Sequence, residues 1–273
     1  MTRRPVRTIS RVLAIGKSTV YRARAPRPRR YATADDRAVH AQLKAVLRER
    51  ASYGYRRATV LVNRAYGTRY NRKRIQRVME LTGLALPRRR QPRAGRPHRG
   101  RIRRDRPNER WCSDAFEIAC SNGDVVEVAF VLDCCDRECI AIVAEPRDLA
   151  GRDVRELMRQ AVAARFGDER PPWPVQWLSD NEGMYTALET VIAAEPLNLV
   201  PITTPVRSPE SNGMSESFVS TLRRDYLDGA DLGSADAVLE QLSRWIGDYN
   251  GVVPHSALGY LTPTAYRQTL RTD

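Results

Sequence analysis

Residues 111–144 read WCSDAFEIACSNGDVVEVAFVLDCCDRECIAIVA, and this stretch decides the fold. Apolar side chains dominate three runs, 111–119, 125–132 and 139–144, which are typical of β-strands. The first connection is the polar segment Ser121-Asn122-Gly123-Asp124, and the second is a short polar turn around Asp136. Because short polar connections of this kind join neighbouring strands, the stretch predicts a three-stranded antiparallel meander.

Beyond this meander, helix and strand patterns alternate. Strands followed by alternating helices and strands indicate an α/β fold, a mixed sheet flanked by helices. The expected elements are a helix at 149–165, a strand at 175–178, a helix near 185–193, a strand at 199–203, a helix from Gly213 and a last helix from near Ser234.

Charge divides the chain into two unlike halves. The formal net charge is +14, from 46 Lys and Arg against 32 Asp and Glu. Residues 1–110 hold 33 basic and 6 acidic residues, whereas residues 111–273 hold 13 basic and 26 acidic ones. Basic residues at this density indicate a polyanionic partner, because Lys and Arg neutralise phosphates and release counterions. The first half therefore predicts nucleic-acid binding.

Three short amphipathic helices are expected between residues 35 and 86. The third, at 72–81, has Asn71 as its N-cap and Gly83 as its stop. A basic last helix is typical of the helix-turn-helix, whose final helix lies in the major groove of DNA. An ordinary three-helix bundle with a solvated charged face is the alternative. The basic face of the third helix carries Arg72, Lys73, Arg74 and Arg77.

These patterns predict four segments. Residues 1–30 form a basic segment with a partial helix-turn-helix, and residues 31–86 form a small all-α helix-turn-helix domain. Residues 87–106 form an Arg/Pro-rich linker, and residues 107–273 form the α/β domain, which holds the candidate catalytic residues discussed below. No apolar run reaches the 18 residues of a membrane span, and no secretory signal is recognised at the N-terminus. We therefore expect a cytoplasmic, nucleoid-associated protein without a membrane partner.

Other chemistries find little support in the sequence. The nucleotide motifs G-x-x-x-x-G-K and G-x-G-x-x-G do not occur, and neither does the zinc motif H-E-x-x-H. The five cysteines all fall between residues 112 and 139, within or beside apolar runs. Reduced cysteines of this kind pack as small hydrophobic residues, so we expect core positions rather than a zinc site.

Three carboxylates are candidates for chemistry on a phosphate backbone. Asp114 lies within the first strand, and Asp180 follows the fourth strand, 66 positions later. Glu216 follows after a further 36 positions, on the helix that starts at Gly213. On that helix Glu216 points away from the apolar stripe and shares its face with Arg223. Taken alone, this helix favours an ordinary surface glutamate over a catalytic one.

Several motifs along the chain add to these carboxylates. With them, the sequence resembles the DDE transposases of bacterial insertion sequences, the second-frame (OrfB) proteins of insertion-sequence family three, which are relatives of retroviral integrases. The motifs are Tyr53-Gly54-Tyr55-Arg56-Arg57, Asn71-Arg72-Lys73-Arg74, Pro107-Asn108-Glu109-Arg110-Trp111, Ser179-Asp180-Asn181, Val206-Arg207-Ser208-Pro209-Glu210-Ser211-Asn212-Gly213, Glu216-Ser217-Phe218, Tyr249-Asn250 and Pro254-His255-Ser256-Ala257-Leu258-Gly259-Tyr260.

The resemblance implies a ribonuclease-H-like fold for residues 105–273 and a DNA cleavage and strand-transfer activity. It places the family's catalytic, metal-binding carboxylates on Asp114, Asp180 and Glu216, with two Mg²⁺ or Mn²⁺ ions. It implies double-stranded DNA as partner, both the terminal repeats of an element and the target. A homo-oligomer on DNA and an upstream-frame OrfA partner or fusion are also expected. Predicted DNA contacts are Arg56, Arg57, Arg72, Lys73, Arg74, Arg77, Arg207 and Arg223.

The sequence departs from the family pattern at two positions. Glu182 stands where the family usually has Gly, and a positive φ there would cost about 1 kcal/mol. Val253 replaces the Arg that usually precedes Pro254-His255. These departures leave open a decayed, inactive copy. A non-catalytic DNA-binding regulator and a hydrolytic nuclease also remain as alternatives.

Overall fold

The computed structural model of the chain describes residues 5–24, 35–87, 104–203 and 213–270. The chain divides into two units, one formed by Met1–Glu49 with Tyr53–Pro87 and the other by Arg50–Ser52 with Arg88–Asp273. Most of the predicted linker at 87–106 falls outside the described residues. None of the described helices combines the length and hydropathy that a bilayer span requires.

The first unit is helical, as predicted. Its third, fourth and fifth helices bury Val39, Leu43, Val62 and Ile75 between them. The caps follow local chemistry, because the Asn71 side chain accepts a hydrogen bond from the backbone N–H of Lys73 at 2.8 Å. The five helices are α1 (Val6–Val12), α2 (Lys17–Arg24), α3 (Asp36–Leu47), α4 (Tyr55–Tyr66) and α5 (Arg72–Leu81).

The second unit is built on a five-stranded mixed sheet in the order β3-β2-β1-β4-β5. The first three strands form the predicted antiparallel meander, and the pairs β1–β4 and β4–β5 are parallel. This arrangement is the expected ribonuclease-H-like sheet. The strands are β1 (Arg110–Ala119), β2 (Val125–Asp133), β3 (Cys139–Glu145), β4 (Val175–Ser179) and β5 (Leu199–Thr203).

Helices cover both faces of this sheet. On one face, the buried cluster around Trp111, Val131 and Trp177 packs against Leu157 of the first of these helices. On the other face, the rings of Phe130 and Phe218 lie 4.5 Å apart between their centroids. The helices are α6 (Gly151–Phe166), α7 (Gly183–Thr186), α8 (Leu188–Ala194), α9 (Gly213–Leu222), α10 (Ala235–Gly251) and α11 (Pro263–Thr269).

Two details of the predicted helices were wrong. The helix expected near 185–193 is interrupted at Ala187, whose ψ of 137° is extended rather than helical, so α7 and α8 are separate. The helix from Ser234 is not the last one, because α11 follows it. Thr262 caps α11 by accepting a hydrogen bond from the N–H of Ala265, and Pro263 occupies its first turn. A threonine followed by a proline is a helix-start signal, so α11 could have been predicted from the sequence.

A buried ion-pair cluster lies at the end of the sheet where β2 turns into β3. The Arg165 guanidinium donates to both carboxylate oxygens of Asp136, at 3.0 and 3.1 Å. It also lies 3.1 Å from Glu138. The Arg165 and Asp136 side chains are 1% and 0% exposed, so each charge depends on the other for compensation. The cluster thereby ties α6 to the β2–β3 turn.

Arg165→Met is expected to lower the free energy of unfolding by about 3–5 kcal/mol, because it leaves the Asp136 carboxylate buried without its partner. Urea unfolding followed by circular dichroism measures the change. The matched control is Arg159→Met, which breaks the exposed pair with Glu156 and should cost no more than about 1 kcal/mol. Equal effects of the two substitutions would contradict the structural role of Arg165.

Candidate active site and DNA-binding helices

The pairing of β1 with β4 brings the first two candidate carboxylates together. Cys112 is the register partner of Leu178 in this parallel pair. Asp114 and Asp180 each lie two positions further along their chains. Residues two apart on a strand share a face, so the register directs Asp114 and Asp180 to neighbouring positions at the carboxyl end of β4. Side chains at this edge of an α/β sheet commonly form binding sites.

The third candidate, Glu216, reaches the same region from α9. Met214, Phe218 and Leu222 are buried, and Glu216 is exposed on the opposite side of the helix. Directly after α9 the backbone continues as a π-helical turn, Arg223–Leu227. Such turns often occur at functional sites. The helix therefore holds Glu216 by its buried stripe and leaves its carboxylate available.

An open cleft of about 920 Å³ lies between β1, β2 and α9. Among the described residues that line it, six carboxylates face two guanidinium groups, so the cleft carries an excess of negative charge. The charged lining residues are Asp114, Glu117, Glu127, Glu182, Glu216, Asp228, Arg223 and Arg224.

The electrostatics of the cleft act most strongly on Asp114. Burial raises the pKa of Asp114 to about 6, against a hydrogen bond from the Ala115 N–H that lowers it. The negative charges of Asp180, Glu182 and Glu216 raise the pKa of Asp114 further. This effect places all three in the electrostatic environment of Asp114. A positive ion in the cleft would relieve this repulsion.

The chemistry of these side chains fits a hard divalent cation, because Mg²⁺ and Mn²⁺ prefer carboxylate oxygens. Among residues 5–24, 35–87, 104–203 and 213–270, however, no three His, Cys, Asp or Glu side chains stand close enough to hold one ion together. The residue types therefore suit a divalent cation, and their spacing alone does not define an ion site.

Hydrogen bonds of neighbouring polar groups hold the backbone next to Asp114 and Asp180. The Ser113 hydroxyl donates to the carbonyl oxygen of Phe130 at 2.9 Å and lies 3.2 Å from the Tyr185 hydroxyl. Asp180 accepts a hydrogen bond from the backbone N–H of Glu182 at 3.1 Å, which closes a tight turn after β4. These contacts fix the backbone on either side of the site.

The two departures from the family pattern fit this structure. Glu182 has a φ of −66°, so the turn after Asp180 needs no positive φ and Glu182 carries no backbone strain. Val253 is fully buried, as an apolar residue should be. His255 is also largely buried and packs edge-on against Tyr249, with ring centroids 4.7 Å apart. This packing favours a structural role for His255.

Four charged residues that line the cleft were not identified from the sequence. Glu117 and Glu127 face each other across the β1–β2 pair. They are equally distant from Asn122 at the turn, so hairpin symmetry could have identified them. Arg224 and Asp228 follow α9 and reach the cleft only through the π-helical turn, which has no clear sequence signal. Arg207 lies outside the described residues.

The predicted DNA contacts of the first unit differ in their surroundings. Arg72 and Lys73 are exposed at the start of α5, and Arg56 is exposed on α4. Arg77 instead donates to both oxygens of Asp36 at 2.9 and 3.0 Å, which ties α5 to α3. A guanidinium engaged in this way favours a structural role for Arg77. Arg57 and Arg74 are half-buried and lie over the rings of Tyr53 and Tyr70.

Comparison with known proteins agrees with this architecture. The integrase core domain family matches residues 104–209 and 199–263, and the HTH-like domain family matches residues 33–92. Transposase InsD of the insertion element IS2A/D/F/H/I/K from Escherichia coli is 40% identical over 243 residues, which cover 87% of this chain and 81% of that protein. The chain belongs to the insertion-sequence transposases. The resemblance seen in the sequence is thus confirmed, as is the α/β fold class.

Solved structures with a similar fold include a chain of the simian T-cell lymphotropic virus intasome bound to PP2A regulatory subunit B56 gamma, at a TM-score of 0.48 and 16% identity. That match covers 84% of this chain and 74% of the viral one. The catalytic domain of Mos1 mariner transposase is similar at a TM-score of 0.45 and 16% identity, covering 60% of this chain and 76% of that domain. The HTH-like and integrase core domains identify this transposase as a DNA-binding protein.

Asp114→Asn should stabilise the metal-free transposase. The pKa of Asp114 is raised in the folded state, so its charged form costs stability above about pH 6, and the cost disappears as the pH falls toward 4. Asparagine removes the cost. We expect the free energy of unfolding to rise by about 1–2 kcal/mol at pH 7.5 in EDTA, and the gain to shrink on acidification.

Urea unfolding at a series of pH values measures this difference. Glu169→Gln, at an exposed position outside the cleft, is the matched control and should change little. A gain that stays constant from pH 7.5 to pH 4 would contradict the electrostatic origin of the effect.

The double substitution Arg72→Ala and Lys73→Ala should weaken binding to all DNA sequences, because these exposed basic side chains are predicted phosphate contacts. The slope of log affinity against log salt should fall by about 2, one unit for each lost phosphate contact. Fluorescence anisotropy at several salt concentrations measures the slope. Arg48→Ala, which removes an exposed arginine at the end of α3, is the control. An unchanged slope in the double variant would remove α5 from the DNA interface.

Proposed function

We propose that this transposase cuts and joins DNA by metal-dependent phosphoryl transfer, with Asp114, Asp180 and Glu216 as its catalytic carboxylates. The observation that carries the proposal is that Asp114 and Glu216 line one open cleft, while the negative charges of Asp180 and Glu216 both act on Asp114. The activity class, a DDE polynucleotidyl transferase, follows from membership of the family.

The proposed cofactor is Mg²⁺ or Mn²⁺, as two ions held by Asp114, Asp180 and Glu216. When bound, such ions neutralise charge on the phosphate and activate the attacking oxygen. The chain itself supplies positioning and charge, which is most of what phosphoryl transfer requires from a protein. The open shape of the cleft suits a duplex end rather than a small enclosed substrate.

Two successive displacements at phosphorus account for cutting and joining. First, a water oxygen attacks a phosphodiester at the element end, and the 3′ oxygen leaves with a proton as a free 3′-OH. Next, the oxygen of that 3′-OH attacks a phosphodiester of the target, and the target's own 3′ oxygen leaves. One phosphodiester is thus broken and one formed in the second step. Arg223 lies in the cleft beside Glu216, where it can hold the DNA backbone.

DNA recognition is assigned to the helix-turn-helix unit, with α5 in the major groove. Arg72 and Lys73 are exposed there, which supports contacts with phosphates and base edges at the element ends. Pairing of two ends requires at least two active sites, so we assign the working form to a homo-oligomer on DNA. An upstream-frame OrfA protein, separate or fused, remains the proposed additional partner.

Asp180→Asn should abolish Mg²⁺-dependent strand transfer and leave DNA binding intact, because it removes a proposed metal ligand and no DNA contact. Joining of a labelled 3′ end into a second duplex measures strand transfer, and gel retardation measures binding. The matched control is Glu189→Gln on the exposed side of α8. Unchanged strand transfer in Asp180→Asn would refute the assignment.

The same assay separates the alternatives. Wild-type protein that binds DNA but neither nicks nor joins it with Mg²⁺ or Mn²⁺ would be a regulator or a decayed copy. Metal-dependent nicking without joining would identify a hydrolytic nuclease. Joining of the labelled end supports the transposase alone.

A further inference from the structure

Two sequence motifs of the second unit, Tyr249-Asn250 and residues 254–260, have no part in the proposed reaction so far. The first lies in the last turn of α10, directly after Asp248. Successive residues of a helix point about 100° apart, so these three side chains face different neighbours. Asp248 contacts the π-helical turn after α9, Tyr249 contacts α9 and Asn250 contacts β3.

Tyr249 packs against the helix that carries Glu216. Its ring stands edge-on to the ring of Phe218, with the centroids 4.8 Å apart and the planes at 89°. Phe218 lies two residues after Glu216, and on the sheet it contacts Phe130. All three rings are buried, and edge-to-face pairs fix the orientation of the rings as well as their distance. Tyr249 therefore holds the buried side of α9, and with it the place of Glu216.

Asp248 fixes the π-helical turn that follows α9. The Tyr226 hydroxyl donates to the Asp248 carboxylate at 2.6 Å. The ring of Tyr226 packs against Trp245, which lies three residues before Asp248 on α10, with 6.4 Å between centroids. Arg223 begins this turn and lines the cleft. Because a hydrogen bond to a carboxylate is stronger than one between neutral groups, the contact gives the turn a defined position.

Asn250 ties the same end of α10 to the sheet. Its side-chain amide donates to the carbonyl oxygen of Cys139 at 2.8 Å, and its side-chain oxygen accepts from the N–H of Cys139 at 2.9 Å. Cys139 begins β3, which is an edge strand of the sheet. The amide thus pairs with both backbone groups of Cys139, as a neighbouring strand would. The end of α10 is therefore anchored to the same sheet that carries Asp114.

The motif at residues 254–260 supports Tyr249 from another side. The His255 N–H donates to the carbonyl oxygen of Leu261 at 3.0 Å, and the His255 carbonyl oxygen accepts from the N–H of Tyr260 at 2.8 Å. These hydrogen bonds close the turn after α10. The turn presents the imidazole ring edge-on to Tyr249. Both motifs therefore contribute to one packing arrangement around the end of α10.

We propose that Asp248, Tyr249 and Asn250 are positioning residues of the active site, which hold α9 and the π-helical turn on the sheet so that Glu216 and Arg223 stay in the cleft. This inference rests on the proposed function, since it assumes that Glu216 and Arg223 act on DNA. The described lining of the cleft includes none of the three, so they act through α9 and the turn rather than on the substrate. Their loss slows the chemical step and leaves DNA affinity unchanged.

The test compares Tyr249→Leu with Tyr249→Phe in the full-length transposase. Leucine removes the ring that contacts Phe218, so the rate of joining of a labelled 3′ end at saturating DNA should fall about a hundredfold. The Kd for DNA should stay at the wild-type value. Phenylalanine keeps the ring and should restore most of the rate. Urea unfolding measures the stability of both variants.

Tyr226→Phe provides a second variant, which decides the matter if Tyr249→Leu does not fold. It removes one oxygen atom and keeps the ring beside Trp245, so the rate of joining should fall about tenfold at unchanged DNA affinity. The matched control is Val162→Ala, which leaves a small cavity in the buried cluster on the other face of the sheet and lowers the stability of the same unit. This control should join DNA at the wild-type rate.

Slow joining with unchanged DNA affinity, recovered in Tyr249→Phe, supports the positioning role. If Tyr249→Leu and Tyr226→Phe both join DNA as fast as wild type while Asp180→Asn is inactive, the inference fails and the proposed function stands. If Val162→Ala loses as much activity as Tyr249→Leu, the effect is general destabilisation and the inference is overturned. A wild type that joins no DNA overturns both.

Discussion

In the centre of the sheet, β1 lies between an antiparallel neighbour, β2, and a parallel neighbour, β4. The parallel pair is short and ends at Cys112 and Leu178, and continuing its register by two residues puts Asp114 opposite Asp180. A slip of one residue would turn Asp114 to the opposite face of the sheet. The rings of Trp111 and Trp177, which are register partners, pack at 6.4 Å and are almost completely buried. Packing of the apolar core thus holds Asp114 and Asp180 near each other, although their two negative charges repel.

That arrangement has an electrostatic cost. The second half of the chain is acidic, and its cleft concentrates carboxylates where a DNA phosphate would approach in the proposed reaction. Burial and neighbouring charges raise the pKa of Asp114, so the unneutralised site resists both folding and substrate. A divalent cation changes the sign of this balance, because it converts mutual repulsion into shared coordination. In the proposed reaction, Arg223 and Arg224 would then lie beside a neutralised centre and hold the backbone of the substrate.

Much of this fold could be predicted from local patterns in the sequence. The apolar runs and the Asn122-Gly123 turn located the meander to within a residue, and Asn71 marked the start of α5. The strand order was not accessible, because the β1–β4 pairing joins residues 66 positions apart and depends on the whole core. Spacing and family resemblance singled out Asp114, Asp180 and Glu216, but only the hairpin register brings Glu127 to the same cleft. The pairing of Arg77 with Asp36, 41 positions earlier, was likewise not predictable from local signals.

Glu182 illustrates how a departure from a family pattern should be interpreted. Read in the sequence, a glutamate in place of a glycine suggests strain in the turn after Asp180. The observed φ of −66° removes that explanation, since any residue adopts it without cost. What remains is the charge, which adds to the negative potential that raises the pKa of Asp114. Because burial and the charge of Asp180 raise the pKa of Glu182 as well, the departure from glycine changes the electrostatics of the turn rather than its backbone geometry.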